Sequence, residues 1–152
     1  MNQERDYINR LWSCTNIIDG LYYHSARILH VKDNTLTLFY ALADGKVHSQ
    51  KQICEEYLLP KTTLNTIVRE CMENGYVALS RETHSREKNI ILTEKGRLYA
   101  HTILDSLFLA EQHAMKRTLE RFSPEFIDAL EYFTANLQQE FENIQTESET
   151  RS

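Results

Sequence analysis

Glycine and proline are scarce in this chain, at four and two among 152 residues. So few chain-breaking residues argue against a strand-and-turn architecture and in favour of helices. Cysteine is scarce too. Cys14, Cys54 and Cys71 are odd in number, far apart and form no CxxC pair. Neither a disulfide framework nor a zinc knuckle is indicated, and reduced, mostly structural thiols are expected. No apolar run approaches the ~18 residues of a membrane span, and the start MNQERDYINR lacks a signal-peptide apolar region. The expectation is a cytoplasmic protein without a membrane partner. H-E-x-x-H, a nucleophile elbow and a Gly-rich phosphate loop are all missing. Among the histidines (24, 30, 48, 84, 101, 113), His101 with Asp105 and Glu111 with His113 are unconvincing ligand spacings. An enzyme, a resident metal and a cofactor are therefore not expected.

What is present is ordinary soluble composition, 41% hydrophobic and 26% charged, enough for one domain or a small module plus an oligomerisation segment. The net charge of −5 argues at first against nucleic acid, but the charge is segregated. Residues 46–101 hold nine Lys/Arg and seven Asp/Glu, whereas residues 120–152 hold two and eight. The basic share lies in the middle of the chain.

Periodicity predicts a first helix over residues 5 to about 30, carried by Ile8, Leu11, Trp12, Ile18, Leu21, Tyr22 and Leu29. A second is predicted from a cap at Asp33 or Asn34 to Gly45. Ser49 and Gln52 form an S-x-x-Q capping box ahead of Ile53, Cys54, Tyr57 and Leu58, predicting a short third helix. The segment PKTTLNTIVRECMENG follows, with Pro60 suited to a first turn and Gly75 to an end. Its apolar Leu64, Ile67, Val68, Cys71 and Met72 repeat at three and four, leaving a polar opposite face. Val77 and Leu79, then Ile90 and Leu92, fit two strands with one packed face, and Ile91 breaks the alternation. A long helix capped by Thr93 and a last one begun by Ser123-Pro124-Glu125 complete the chain, ending in a frayed tail over 147–152.

Helix, short helix, tight turn, amphipathic helix and a hairpin with a basic tip make a winged helix-turn-helix. The predicted fold class is mainly α with a small β-hairpin wing and a helical dimerisation region. Base edges are read by short polar or forked side chains on a helix, and phosphates by cations and N–H donors. Lys61, Thr62, Thr63, Asn65, Thr66 and Arg69 supply both kinds on the candidate recognition helix. Arg81, His84, Arg86 and Lys88 do so on the wing, and Ser49, Gln50 and Lys51 at the start of the preceding helix. Double-stranded DNA is the expected partner.

The segments Leu59-Pro60-Lys61-Thr62-Thr63-Leu64-Asn65, Glu73-Asn74-Gly75-Tyr76-Val77 and Asn89-Ile90-Ile91-Leu92-Thr93-Glu94-Lys95-Gly96 make the chain, over residues 8 to 145, resemble the MarR (multiple antibiotic resistance regulator) family of transcription factors. The resemblance implies a DNA-binding regulator, a repressor rather than an activator, working as a homodimer on a palindromic operator. It also implies a dimerisation region of residues 1–32 and 99–146 around a reader module of residues 33–98, and a cleft for a small-molecule effector. Family members carry Asp-x-Arg in the wing, the Arg entering the minor groove; here Arg86 holds the Arg position and His84 stands where the Asp is usual. Some relatives sense peroxide through a cysteine of the first helix, which makes Cys14 a candidate redox residue, although a buried structural thiol is the favoured reading. Two alternatives stay open: a winged-helix protein-interaction module that binds no DNA, and a thiol- or metal-responsive variant of the same regulator.

Overall fold

The computed structural model describes residues 2–81 and 88–150, with side chains described for 2–80 and 88–146. The elements run α1 (Gln3–Ile28), α2 (Asp33–Leu42), β1 (His48–Ser49), α3 (Gln50–Glu56), α4 (Lys61–Glu73), β2 (Val77–Arg81), β3 (Lys88–Leu92), α5 (Glu94–Leu119) and α6 (Glu125–Thr150). The mainly helical architecture with a hairpin is the one the sequence predicts.

Helix boundaries follow local chemistry, with some departures from expectation. Asn2 caps α1 through its side-chain oxygen, which accepts from the Glu4 N–H at 3.4 Å. α1 closes with His30 at φ +54 and the Val31 N–H returning to the Ala26 carbonyl at 2.9 Å, a left-handed finish in which a non-glycine accepts some strain. Neither Asp33 nor Asn34 caps α2. Lys32 holds that position without a side-chain bond, and Asp33 lies in the first turn, where its carboxylate faces the positive helix end. The capping box of α3 forms as expected: Ser49 Oγ accepts from the Gln52 N–H at 3.1 Å, and the Gln52 side chain accepts from the Ser49 N–H at 2.8 Å. α3 stops at Glu56, however, so Tyr57 and Leu58 fall in the turn. Leu58 sits at φ +48 and is 81% exposed, which removes it from the expected apolar stripe.

The sheet has three strands in the order β1-β3-β2, one more than the hairpin predicted. β1 is only two residues long, and pairs His48 with Ile90 and Ser49 with Asn89. In the hairpin Val77 faces Leu92 and Leu79 faces Ile90. Ile90 is buried while Ile91 points to the opposite, more exposed side. The broken alternation in the sequence is therefore real, and it leaves an apolar side chain on the outer face of the wing's base.

After β3 the chain turns into α5 against Tyr76. Thr93 donates from its hydroxyl to the Gly75 carbonyl at 2.6 Å and accepts from the Gly96 N–H at 3.0 Å. A Cβ on Gly96 would stand 1.8 Å from the Tyr76 carbonyl oxygen, so only glycine lets α5 start this close to the hairpin. Tyr76 and Tyr99 stack at 4.4 Å between centroids, with Phe39 edge-on to both.

The chain divides into two compact units, Met1–Phe108 and Leu109–Ser152. This differs from the boundaries at 32/33 and 98/99 expected from sequence. Ala26 of α1 and Ala100, Ile103 and Leu104 of α5 are buried in the same core as Leu38 and Phe39 of α2, Ile53 of α3 and Leu64 of α4. Helices α1 and α5, which the resemblance assigns to dimerisation, thus contribute to one core with α2, α3 and α4. In the second unit α6 runs to Thr150, into the segment 147–152 expected as a tail. Its Phe126, Leu130, Leu137, Phe141 and Ile144 are all exposed.

Candidate nucleic-acid interface

α4 separates its residues, except that Met72, expected on the apolar side, is exposed near the helix end. Leu64, Ile67, Val68 and Cys71 are buried, Lys61, Thr62, Asn65, Thr66 and Arg69 are exposed, and Thr63 is half-buried at the border. Its first turn carries no acidic residue, so nothing there repels an anion. The nearest carboxylate along α4, Glu70, is held by Lys32, whose ammonium donates to both Glu70 oxygens at 3.0 and 2.8 Å. That contact ties α4 to the start of α2, and among the described residues Arg69 makes no ion pair.

Three elements bring cations to one groove. Lys51 of α3, Lys61 of α4 and Lys88 of β3 line a space of about 570 Å³ together with Gln50, Cys54, Glu55, Leu64 and Asn65. Lys51 also faces Glu55 at 3.8 Å, but both side chains are well exposed and such a pair contributes little. Ser49 does not join this surface. Its side chain is only 4% exposed and is engaged in the capping box, so it orders α3 rather than offering a contact. Arg81 ends β2 opposite Lys88, but its side chain, like His84 and Arg86, lies outside the described residues.

The cysteines occupy three environments. Cys54 is half-buried at the groove. Burial, helped by the neighbouring Glu70, pushes the Cys71 thiol up to about 11. Cys14 is exposed on α1, against the expectation of a buried thiol. Among the described residues no cluster of three or more His, Cys, Asp or Glu is placed to hold a metal ion, and no helix is long and apolar enough to cross a membrane.

A second cavity, of about 310 Å³, was not foreseen. Leu42, Val47, Ile91, Leu104 and Phe108 give it apolar walls, and Lys46, Arg97, His101 and Asp105 give it a polar rim. Arg97 donates to Glu94 at 3.1 Å, and His101 bonds Asp105 at 3.1 Å. Beside it, Asp44 closes the turn after α2. His48 Nε2 lies 2.9 Å from Asp44 Oδ1, which also accepts from the Lys46 N–H at 2.9 Å. The His48 bond first, and the Lys46 bond second, hold the Asp44 carboxyl below the usual carboxylate range. The cavity combines residues from α2, the following turn, β3 and α5, distant positions that share no sequence motif. Its one legible signal was the out-of-step Ile91.

No protein-family profile matches the chain, and no curated protein sequence matches it. Solved structures do. A MarR family regulator from Neisseria meningitidis superposes with a TM-score of 0.72 at 21% identity, over 97% of this chain and 99% of that one. A MarR family transcriptional regulator from Silicibacter pomeroyi gives 0.69 at 14% identity, over 86% and 93%. NadR in complex with 4-hydroxyphenylacetate gives 0.66 at 14% identity, over 84% and 88%. At these identities the likeness is one of fold: the chain has the winged-helix architecture of MarR-family structures.

Proposed function

We propose that the chain is a homodimeric DNA-binding transcriptional regulator, a repressor, that binds a palindromic operator through α4 and the wing. The observation that carries this reading is the exposed face of α4. Lys61, Thr62, Asn65, Thr66 and Arg69 stand out from a helix whose other side packs through Leu64, Ile67, Val68 and Cys71. Lys51 and Lys88 extend the cationic surface from neighbouring elements. Such a surface matches a phosphate backbone flanking a major groove. The same face on a protein-interaction module would have no reason to gather lysines from three elements.

The dimer follows from what the chain leaves uncovered. Tyr7, Trp12, Ile18 and Leu21 of α1 and Phe126, Leu130, Phe141 and Ile144 of α6 are exposed, more apolar surface than a monomer ordinarily carries. A second copy covers it, using residues 1–32 and 99–146. Two copies then present two α4 helices to successive major grooves ~34 Å apart, which is why a palindrome is the expected operator. The 310 Å³ cavity beside the base of the wing is the proposed effector site. Its apolar walls and Lys46 and Arg97 suit a small amphipathic anion, the class to which the 4-hydroxyphenylacetate bound by NadR belongs.

The test is a salt titration of binding to random and selected duplexes. A regulator of this kind loses affinity steeply between about 50 and 200 mM salt on both, with a slope set by the number of phosphates neutralised. No salt-dependent binding to any duplex would make the chain a protein-interaction module instead.

A further inference from the structure

The exposed face of α4 carries more information than its charge, because the side chains on it differ in which hydrogen-bonding groups remain free. Thr66 is already engaged: its hydroxyl donates to the Thr62 carbonyl at 3.1 Å. With that proton taken, Thr66 has no donor left to offer a groove, only its hydroxyl oxygen as an acceptor and its methyl. Asn65 is the opposite case. Its carboxamide is exposed and, among the described residues, bonds no other group, so one acceptor and two donors are available on the fifth residue of the helix. The two residues are consecutive, so they sit ~1.5 Å apart along the axis and address one base pair or adjoining ones.

These two chemistries select the same base pair. A free carboxamide pairs bidentately with N7 and N6 of adenine, and a methyl packs on the C5-methyl of thymine. A G·C pair is poorly served at this level of the helix. Cytosine N4 is read best by a carboxylate acceptor, but the first acidic residue of α4 is Glu70, which Lys32 holds. Guanine is read by arginine or lysine, and the arginine of α4, Arg69, lies a full turn further on. Lys61, at the helix start, belongs to the lysine-lined groove suited to phosphate.

We infer that Asn65 and Thr66 read an A·T pair in each half-site, Asn65 through the adenine edge and Thr66 through the thymine methyl. The inference rests on the duplex-binding reading above. It makes Asn65 and Thr66 specificity-determining residues and predicts A·T where the fifth and sixth residues of α4 enter the groove.

The experiment uses the full chain and an operator selected from randomised duplexes. Each half-site A·T position is replaced in turn by G·C, and each thymine by uracil, which lacks only the methyl. For the wild type, one position per half-site should cost roughly 5- to 150-fold on conversion to G·C. Asn65→Ala should abolish that discrimination, with a far smaller loss on random duplex than on the selected operator. Uracil at the same or adjoining pair should weaken the wild type several-fold. Thr66→Ser should lose as much and respond no further to uracil, whereas Thr66→Val, which keeps a methyl, should still be weakened by uracil. All three substitutions are at exposed positions, and circular dichroism confirms that each variant is folded. Unchanged discrimination in Asn65→Ala, or a lost preference for G·C instead of A·T, overturns the assignment while leaving DNA binding intact. No salt-dependent duplex binding by the wild type overturns both.

Discussion

α4 and α6 are both amphipathic, yet only one of them has finished folding within a single chain. α4 buries Leu64, Ile67, Val68 and Cys71 and turns a polar face outward. α6, twice as long, exposes Phe126, Leu130, Leu137, Phe141 and Ile144, and carries no Lys or Arg to balance its acidic residues. A helix of the first kind is positioned by its own core and free to act through its other side. A helix of the second kind is stable only when something covers its apolar stripe. Under the proposed function the two helices have different work: α4 would present the reading surface, and α6 the surface that pairs two readers. Charge follows the same division: α6 is acidic, a poor neighbour for phosphate, whereas α3, α4 and β3 carry the lysines that the proposed DNA surface needs.

Removing α6 is the most direct way to break that contrast. A chain ending at Arg121 should sediment as a monomer at micromolar concentration, where the full chain is a dimer. Loss of bivalency should then reduce operator affinity on the order of 10²–10⁴-fold, with binding of one reader to random duplex reduced far less. A full-length chain that is monomeric at that concentration rules out the dimer. A truncated chain that still dimerises moves the interface elsewhere.

Substitution of one phenylalanine in each region sharpens it. Phe39 is fully buried, edge-on to Tyr76 and Tyr99, and Phe39→Ala should destabilise the reader by ~3–5 kcal/mol in denaturant unfolding. Phe141 is 56% exposed, so Phe141→Ala should cost the isolated chain within about 0.5 kcal/mol and should instead weaken the dimer. Equal losses for the two at high dilution, where only monomer is present, would erase the distinction drawn here.

Arg69→Ala acts on the reading surface and should have a smaller effect. If the forked guanidinium meets a base, the loss is ~1–3 kcal/mol and one position per half-site loses its preference. Uniform weakening on every duplex, with the salt slope lowered by about one, makes Arg69 a phosphate contact.

How much of this was legible in the sequence divides along the same physical line. Local rules did well where a segment decides its own structure: the S-x-x-Q box at Ser49 and Gln52, Thr93 ahead of α5, and the three-and-four spacing of α4 all formed. They did less well where packing decides. Asp33 looked like a cap and became a first-turn residue, and Leu58 looked like core and became an exposed turn residue with positive φ. The β1 strand, two residues paired only through β3, has no periodicity to detect. Ser49 was the instructive case at the site. A hydroxyl at a helix start reads equally well as a cap or as a phosphate contact, and only its burial separates the two. A cleft was expected from the resemblance, but apart from the out-of-step Ile91 the lining of the 310 Å³ cavity was not legible, because Lys46, Arg97 and His101 converge only through the tertiary fold.

The smallest expected effect concerns the turn beside that cavity, and it depends on pH. Asp44 accepts from His48 and from the Lys46 N–H, with the Lys46 ammonium 3.9 Å away, and these contacts favour its charged form in the folded chain. Its folded-state pKa is therefore below its unfolded one. The stability this contributes is fully present above the unfolded-state value, ~3.9 for an aspartate, and is lost as pH falls through the lowered folded value. Asp44→Asn cannot make the charged contacts at any pH. Its stability should lie slightly below wild type from neutral pH down to about 4, with the two curves converging as the pH drops further and the wild-type carboxylate is protonated. Because Asp44 is partly exposed, solvent screening keeps the difference small. Urea midpoints measured between about pH 2 and 7 provide the test, the window being set by the aspartate range. A gap that stays constant across that range would mean that Asp44 acts on this turn through shape alone, and that its bond to His48 carries no charge-dependent stability.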